Sequence, residues 1–197
     1  MAQVNRLVAQ TLQVMGRTEE ARTASREALA TAEAALARDP DDAETRRLVA
    51  SGHFSMALSE PDRPTKLRHW LEAERGFEAL LAEKPGDPDR LRNVALVNKY
   101  LGGHLQVEGK HDEAEVRYRR AMALDEQRVA LAPQSRQVQF DIAIDLANLA
   151  SVLARRDEDA EALRYYERSV AMREQLVGGD PKDALARTAL GRVLVTV

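Results

Sequence analysis

The sequence lacks cysteine entirely, which excludes a disulfide framework, a zinc–thiolate site and a cysteine nucleophile. Aromatic residues make up only 4% of the chain. No stretch approaches the roughly 18 uninterrupted apolar residues that a membrane span requires. Neither sign of charge is in large excess, and a formal net charge of −3 disfavours a protein that binds nucleic acid by neutralising phosphates. The residues that do dominate are Ala, Leu, Arg and Glu, which favour an all-α fold.

Enzyme motifs are also absent. The chain has no glycine-rich phosphate loop, no nucleophile elbow and no His-Glu-x-x-His helix. Neither histidine pair, His53 with His69 or His104 with His111, has the i, i+4 spacing of a helical metal clamp. We therefore expect no catalytic residues, no cofactor and no metal site. Met1 to Met15 include neither a basic leader nor a continuous apolar run, so we expect no secretory signal and a cytoplasmic protein.

Prolines recur at a nearly constant interval along the chain. Pro85, Pro133 and Pro181 are 48 residues apart, and Pro40 precedes Pro85 by 45 residues. Two other columns agree in the same register. One is mostly aromatic and contains Ser25, Trp70, Tyr118 and Tyr166, and three residues later a column of small residues contains Ala28, Ala73, Ala121 and Ser169. Agreement in several columns at once predicts an internal structural repeat.

Each repeat has the hydrophobic period of two helices. In the third unit, the first helix shows apolar residues at steps of three or four: Val94, Val97, Leu101 and Leu105. Gly109 is suited to a left-handed residue that closes this helix. A second helix is predicted from near Asp112 to about Ala132, and no strand pattern competes with it.

This arrangement resembles the tetratricopeptide repeat family. The resemblance depends on a small residue after leucine in the first helix, a glycine at the turn, and Ala, an aromatic and Ala in the second helix: Leu101-Gly102, Leu149-Ala150, Gly16, Gly109, Ala114, Tyr118 and Ala121. The family's usual period is about 34 residues. Longer units such as these are similar to those of kinesin light chains and to arrays appended to bacterial serine/threonine protein kinases, and the Asp-Pro junctions favour the second group.

The resemblance implies an all-α fold, a right-handed α-solenoid of antiparallel helix pairs. We expect one domain over residues 1–197 with about four helix pairs and a terminal half-repeat. The predicted units are residues 1–40, 41–85, 86–133 and 134–181, followed by the half-repeat 182–197. A half-repeat at each end leaves apolar residues uncovered, which predicts a fragment of a longer polypeptide.

The resemblance also implies a protein-interaction scaffold that binds a peptide or partner protein in a concave groove lined by the first helices. The predicted groove residues point away from the core: Lys99, Gly103, Gln106, Asn148, Ser151 and Arg155. Asn148 precedes Leu149-Ala150, as does the peptide-contacting asparagine of the kinesin light chain type. Its amide could pair with a peptide backbone, or it could merely face solvent. Lys99 and Arg155 are expected to attract an acidic ligand.

Three other functions compete with the scaffold. The main alternative is a catalytically silent regulatory region of a bacterial serine/threonine kinase. Self-association through the uncapped ends is the second alternative. A helical enzyme is disfavoured because no set of residues suggests a catalytic site.

Overall fold

The computed structural model describes Val8, Thr11, Leu12 and residues 14–179. In this part of the chain the regular elements are all helices: α1 (Thr18–Leu36), α2 (Ala43–Ser59), α3 (Arg63–Glu83), α4 (Pro88–Val107), α5 (His111–Leu131), α6 (Arg136–Ala154) and α7 (Asp159–Gly179). The predicted all-α fold of helix pairs is confirmed. The half-repeat predicted at residues 182–197 lies outside the described residues.

The helices form two compact units, which divide between Arg90 and Leu91. Unit 1 contains α1, α2 and α3, and unit 2 contains most of α4 together with α5, α6 and α7. The single solenoid over residues 1–197, with its repeat boundaries, stays a prediction.

Polar side chains cap the starts of α2, α3 and α6, whereas α1 and α5 begin without a side-chain cap. Asp42 accepts a hydrogen bond from the Thr45 backbone N–H at the start of α2 (3.0 Å). Asp62 accepts from Thr65 N in the same way at the start of α3 (2.9 Å). Such caps satisfy N–H groups that have no partner within the helix. Short segments that contain aspartate and proline therefore connect α1 to α2 and α2 to α3, and they cap the helix that comes next.

Three of the turns that precede a second helix of a pair contain a residue with a left-handed backbone, whereas Glu60 and Asp62 between α2 and α3 have negative φ values. Gly16 and Gly109 have φ values of 74° and 76°, as their positions in the repeat predict. Asp157 occupies the equivalent position 48 residues after Gly109 and also has a positive φ of 60°. Aspartate tolerates this conformation better than most residues with a side chain.

The repeat columns form the cores. Every member of the aromatic column and of the small-residue column is buried, with at most 8% of its surface exposed. In unit 1, the rings of Phe54 and Trp70 join α2 to α3 edge to face, with centroids 4.9 Å apart. In unit 2, Tyr118 of α5 packs against Gly102 of α4, where a Cβ atom would lie only 2.6 Å from the Tyr118 ring. The small residue after leucine thus makes room for the aromatic side chain.

Candidate functional site

The six predicted groove residues all belong to unit 2. Lys99, Gly103 and Gln106 lie on α4, while Asn148 and Ser151 lie on α6 and Arg155 directly follows it. Hydrogen bonds from α4 to α6 show that these two first helices lie side by side. We call the surface formed by Gly103, Asn148, Ser151 and Arg155 the α4–α6 face.

A chain of hydrogen bonds connects the two helices at this face. The Tyr118 hydroxyl donates to Gln106 Oε1 (2.9 Å), and Gln106 Nε2 donates to Ser151 Oγ (2.8 Å). Burial raises the pKa of Tyr118 to about 12, so the phenol stays protonated and remains a donor. The structure thus brings Gln106 and Ser151 together, with their polar atoms oriented by a residue of the core.

Gly103 leaves space next to this chain of hydrogen bonds. A Cβ atom at Gly103 would have the Tyr118 hydroxyl as its nearest neighbour, at 3.6 Å. That distance is ordinary van der Waals contact. Unlike Gly102, Gly103 is therefore not required by internal packing, and its missing side chain leaves part of the α4–α6 face open.

Asn148 and Arg155 supply polar groups that no other described residue of the chain binds. Asn148 is half-buried on α6, and its amide makes no hydrogen bond with the described residues. Arg155 is exposed, and no carboxylate of the described chain pairs with its guanidinium. Ser151 accepts from Gln106, while its own hydroxyl hydrogen has no acceptor among the described residues. Three donors therefore point to one side of α6.

Lys99 has different surroundings from the other five predicted residues. Its side chain is only 9% exposed, and Nζ lies 2.7 Å from Asp125 Oδ2 and 3.1 Å from Asp145 Oδ1. Nζ also donates to the backbone carbonyl of Asp141 (3.1 Å). The ammonium is thus enclosed by aspartates of α5 and α6, beneath the α4–α6 face rather than on it. The sequence-based expectation that Lys99 attracts an acidic ligand does not fit this placement.

A second buried cation completes the cluster. Arg128 Nη1 pairs with Asp125 Oδ1 and lies 2.8 Å from Asp141 Oδ2. We call Lys99, Asp125, Arg128, Asp141 and Asp145 the buried charge cluster. These five members comprise three carboxyl groups and two buried cations, while a third cation, the exposed Arg92, has its Nε 3.9 Å from Asp141 Oδ2. The net charge of the five members would be negative if all three carboxyl groups were ionised.

Asp145 is the member of the cluster with the fewest partners. Both carboxyl oxygens are buried, and neither accepts a hydrogen bond of good geometry from the described residues. Burial raises the pKa of Asp145, the Lys99 ammonium opposes this rise, and the Asp125 carboxyl adds to it. Conversely, burial would lower the pKa of Lys99, but Asp145 and Asp125 hold it above its usual value. A proton on Asp145 would leave the cluster electrically neutral.

The sequence analysis did not find this cluster. Its only signal was two acids, Asp141 and Asp145, one helical turn apart in the most apolar of the helices. The sequence distances from Lys99 to Asp141 and to Asp145 differ from the repeat period. The repeat columns therefore did not place these three residues together.

The structure also brings His53 of α2 and His69 of α3 together in unit 1. Their Nδ1 atoms are 3.0 Å apart, and the ring centroids are 5.3 Å apart. The sequence analysis tested these histidines only for metal-ligand spacing. Among the described residues, no group of three or more potential ligands could hold a metal ion.

Two further properties concern the surfaces of the helices. A depression on α7 is lined by residues outside the predicted set: Glu161, Arg164, Tyr165 and Arg168. Within the part of the chain that the structure describes, no helix is both apolar and long enough to cross a membrane.

The helix pairs place this chain in the class of helical repeat proteins, and two of its segments match a model of one such repeat. Residues 7–42 and 146–183 match the model described as Tetratricopeptide repeat. The Photosystem I assembly protein Ycf3 of Synechococcus elongatus is 31% identical over 100 residues, which are 51% of this chain and 52% of that protein. A second Synechococcus strain has a protein of the same name with the same values. The chain therefore spans about half the length of the curated relatives it matches.

Solved structures show the same fold. BtubC (BKLC) from P. vanneervenii has a TM-score of 0.69 at 20% identity, with 90% of this chain and 65% of that chain covered. A thermophilic TPR protein of Thermus thermophilus has a TM-score of 0.52 at 15% identity, with 99% of this chain and 100% of that chain covered. These structures agree with the helix-pair fold of this chain, and the family model relates two of its segments to the tetratricopeptide repeat. The finer resemblance to kinase-appended arrays and kinesin light chains stays a prediction.

Proposed function

We propose that this chain is a non-catalytic scaffold that binds a peptide or partner protein on the α4–α6 face. The observation that supports it most is the Tyr118–Gln106–Ser151 chain of hydrogen bonds, which holds α4 beside α6. Within the described residues, the donors of Asn148, Ser151 and Arg155 have no acceptor. Donors that are already oriented can bind a ligand with little additional loss of side-chain entropy.

Each unused group fits a different part of a polypeptide ligand. The Asn148 amide can both donate to and accept from a peptide backbone. Arg155 can pair with a carboxylate in bidentate fashion. The open space at Gly103 can admit a ligand side chain. We assign Lys99 a supporting role, because its ion pairs join α4 to α5 and α6 beneath the face.

Relatives favour the same kind of function. The Synechococcus relatives are named assembly proteins of photosystem I, and assembly requires the binding of other proteins. Because the chain spans about half of each relative, this supports a scaffold role in general and not that particular target. We also keep the cytoplasmic location as part of the proposal.

Partner capture by the intact chain tests the proposal. The purified chain is immobilised and exposed to extract of its source cells, in parallel with Asn148→Ala and with the control Gln127→Ala. Gln127 carries the same amide type and is exposed on α5, away from the α4–α6 face. We expect Asn148→Ala to reduce capture of the main bound protein about tenfold, as loss of a ligand hydrogen bond of about 1.4 kcal/mol would do.

The Gln127→Ala control should bind like the original chain. Equal capture by all three proteins, each folded by circular dichroism, would argue against the α4–α6 face as the binding surface.

The kinase-linked alternative rests on different observations, the 48-residue spacing of Pro85, Pro133 and Pro181 and the junctions Asp39-Pro40 and Asp180-Pro181. It predicts kinase motifs upstream of Met1 in the same reading frame. The coding sequence in that direction decides it, and an upstream stop codon would exclude it.

A further inference from the structure

The imidazole rings of His53 and His69 meet inside the α2–α3 helix pair of unit 1. Their Nδ1 atoms are 3.0 Å apart, the distance of an N–H···N hydrogen bond. Such a bond needs one hydrogen between the rings, so one Nδ1 donates and the other accepts. Both rings are partly buried, so water cannot freely replace either partner.

The number of protons on the two imidazole rings decides whether the interaction between the rings is attractive or repulsive. The neutral pair and the singly protonated pair each keep one acceptor nitrogen, and the hydrogen bond persists. When both rings are protonated, two N–H groups and two positive charges face each other at the same point. The contact then becomes repulsive unless the helices separate.

Charged side chains around the pair do not cancel this effect. From α1, Glu33 Oε1 lies 4.0 Å from His53 Nε2. From α3, Glu72 favours protonation of both rings, whereas Arg75 opposes it at His53 and Arg68 opposes it at His69. Glu60, which follows α2, favours protonation of His69. Burial is nevertheless the largest influence on each ring, and it lowers the pKa of both histidines.

We propose that the His53–His69 pair is a proton-sensitive joint. It holds α2 against α3 while the two rings are neutral or only one of them is protonated, and it weakens the helix pair when both rings are protonated. The function is separate from partner binding on the α4–α6 face, because every residue involved belongs to unit 1. The joint would make the packing of unit 1 respond to acidification.

The direction of the effect follows from the lowered pKa values. Folded His53 and His69 bind protons less readily than the unfolded chain, whose histidines titrate near 6.5. Their contribution to stability is therefore fully present above pH 6.5 and is lost as the pH falls through the folded-state pKa values.

A native reporter lies directly beside the joint. Trp70, the single tryptophan, follows His69 in sequence, is only 3% exposed and packs edge to face on Phe54 of α2. Separation of α2 from α3 would hydrate its indole and shift the emission maximum to the red. Acidification from about pH 7.5 to about pH 5 should produce this shift and lower the melting temperature, in buffer that contains a metal chelator.

The test variant is His53→Asn, which can place an amide near the former Nδ1 position but cannot be protonated. The control is His111→Asn, which removes one histidine from unit 2. Between those pH values we expect the original chain and His111→Asn to lose about 3 °C more in melting temperature than His53→Asn. Equal losses in all three proteins would overturn the proposal.

Proton NMR titration of the unsubstituted chain tests the joint without any substitution. The ring signals of His53 and His69 should show that the second proton binds at a clearly lower pH than it does to a free histidine. Two independent titrations near pH 6.5 would contradict the joint, whatever the variants do.

Discussion

At the scale of single residues, three aspartates and two cations meet inside unit 2, where solvent screening is weak. Asp125 and Asp141 each contact Arg128, whereas the cation beside Asp145 is the Lys99 ammonium, at 3.1 Å. Buried charges are costly unless they are fully paired. The cluster can lower this cost by retaining a proton on Asp145, which agrees with the raised pKa of that carboxyl.

Replacement of Asp145 by asparagine tests this charge assignment. Because the folded-state pKa is raised, the carboxyl of Asp145 stabilises the fold at low pH and loses that contribution as the pH rises above 3.8 through the raised value. Asparagine resembles the protonated acid in shape and cannot ionise. Urea unfolding between about pH 5 and about pH 9 should show that Asp145→Asn becomes progressively more stable relative to the original chain as the pH rises.

Lys99→Met provides the contrast for that measurement. It leaves the carboxyl groups without the ammonium and should destabilise the chain by about 3–5 kcal/mol at neutral pH. If Asp145→Asn instead lost stability steadily toward alkaline pH, the carboxyl would have to be ionised and stabilising.

At the scale of helices, the close approach of α4 and α5 depends on which of two adjacent glycines faces Tyr118. A Cβ atom at Gly102 would lie 2.6 Å from the Tyr118 ring, whereas at Gly103 the nearest atom would be 3.6 Å away. Tyr118 cannot move aside easily, because it is buried and donates to Gln106. The same small change should therefore have opposite effects at neighbouring positions.

Alanine substitutions measure this difference. Gly102→Ala should destabilise unit 2 by about 1–3 kcal/mol through overpacking. Gly103→Ala should stabilise it by about 0.5–1 kcal/mol, because alanine favours the helix. Thermal and urea unfolding of both variants give the comparison, and equal destabilisation would show that the two helices approach differently.

The helices and their buried faces could be predicted from sequence because they depend on local periodicity. The columns that contain Tyr118 and Gly109 identified a core position and a left-handed turn correctly. The buried charge cluster and the His53–His69 contact could not be predicted in this way. They depend on which side chains of different helices contact each other. Helical periodicity predicts the helix face on which a residue lies, but it does not predict which residue of the next helix it contacts. Lys99 is an example. Its position on α4 predicted a residue of the groove, whereas the structure encloses its side chain among aspartates of α5 and α6.

At the scale of the whole molecule, two properties of the chain are separate. The α4–α6 face of unit 2, which contains Asn148, Ser151 and Arg155, is the proposed binding surface, and the buried charge cluster beneath it joins α4, α5 and α6. Unit 1 contains the histidine joint. Because partner binding and the response to acid use different residues, each can be removed by substitution while the other is retained.

Site-specific photo-crosslinking tests the central claim most directly. A photoreactive phenylalanine derivative is placed at Asn148 on the α4–α6 face, or at Gln127 on α5, and each protein is irradiated in extract of its source cells. Binding on the α4–α6 face predicts a covalent adduct with one partner protein at position 148 and none at position 127. An adduct at position 127 alone, or the same adduct at both positions, would contradict it.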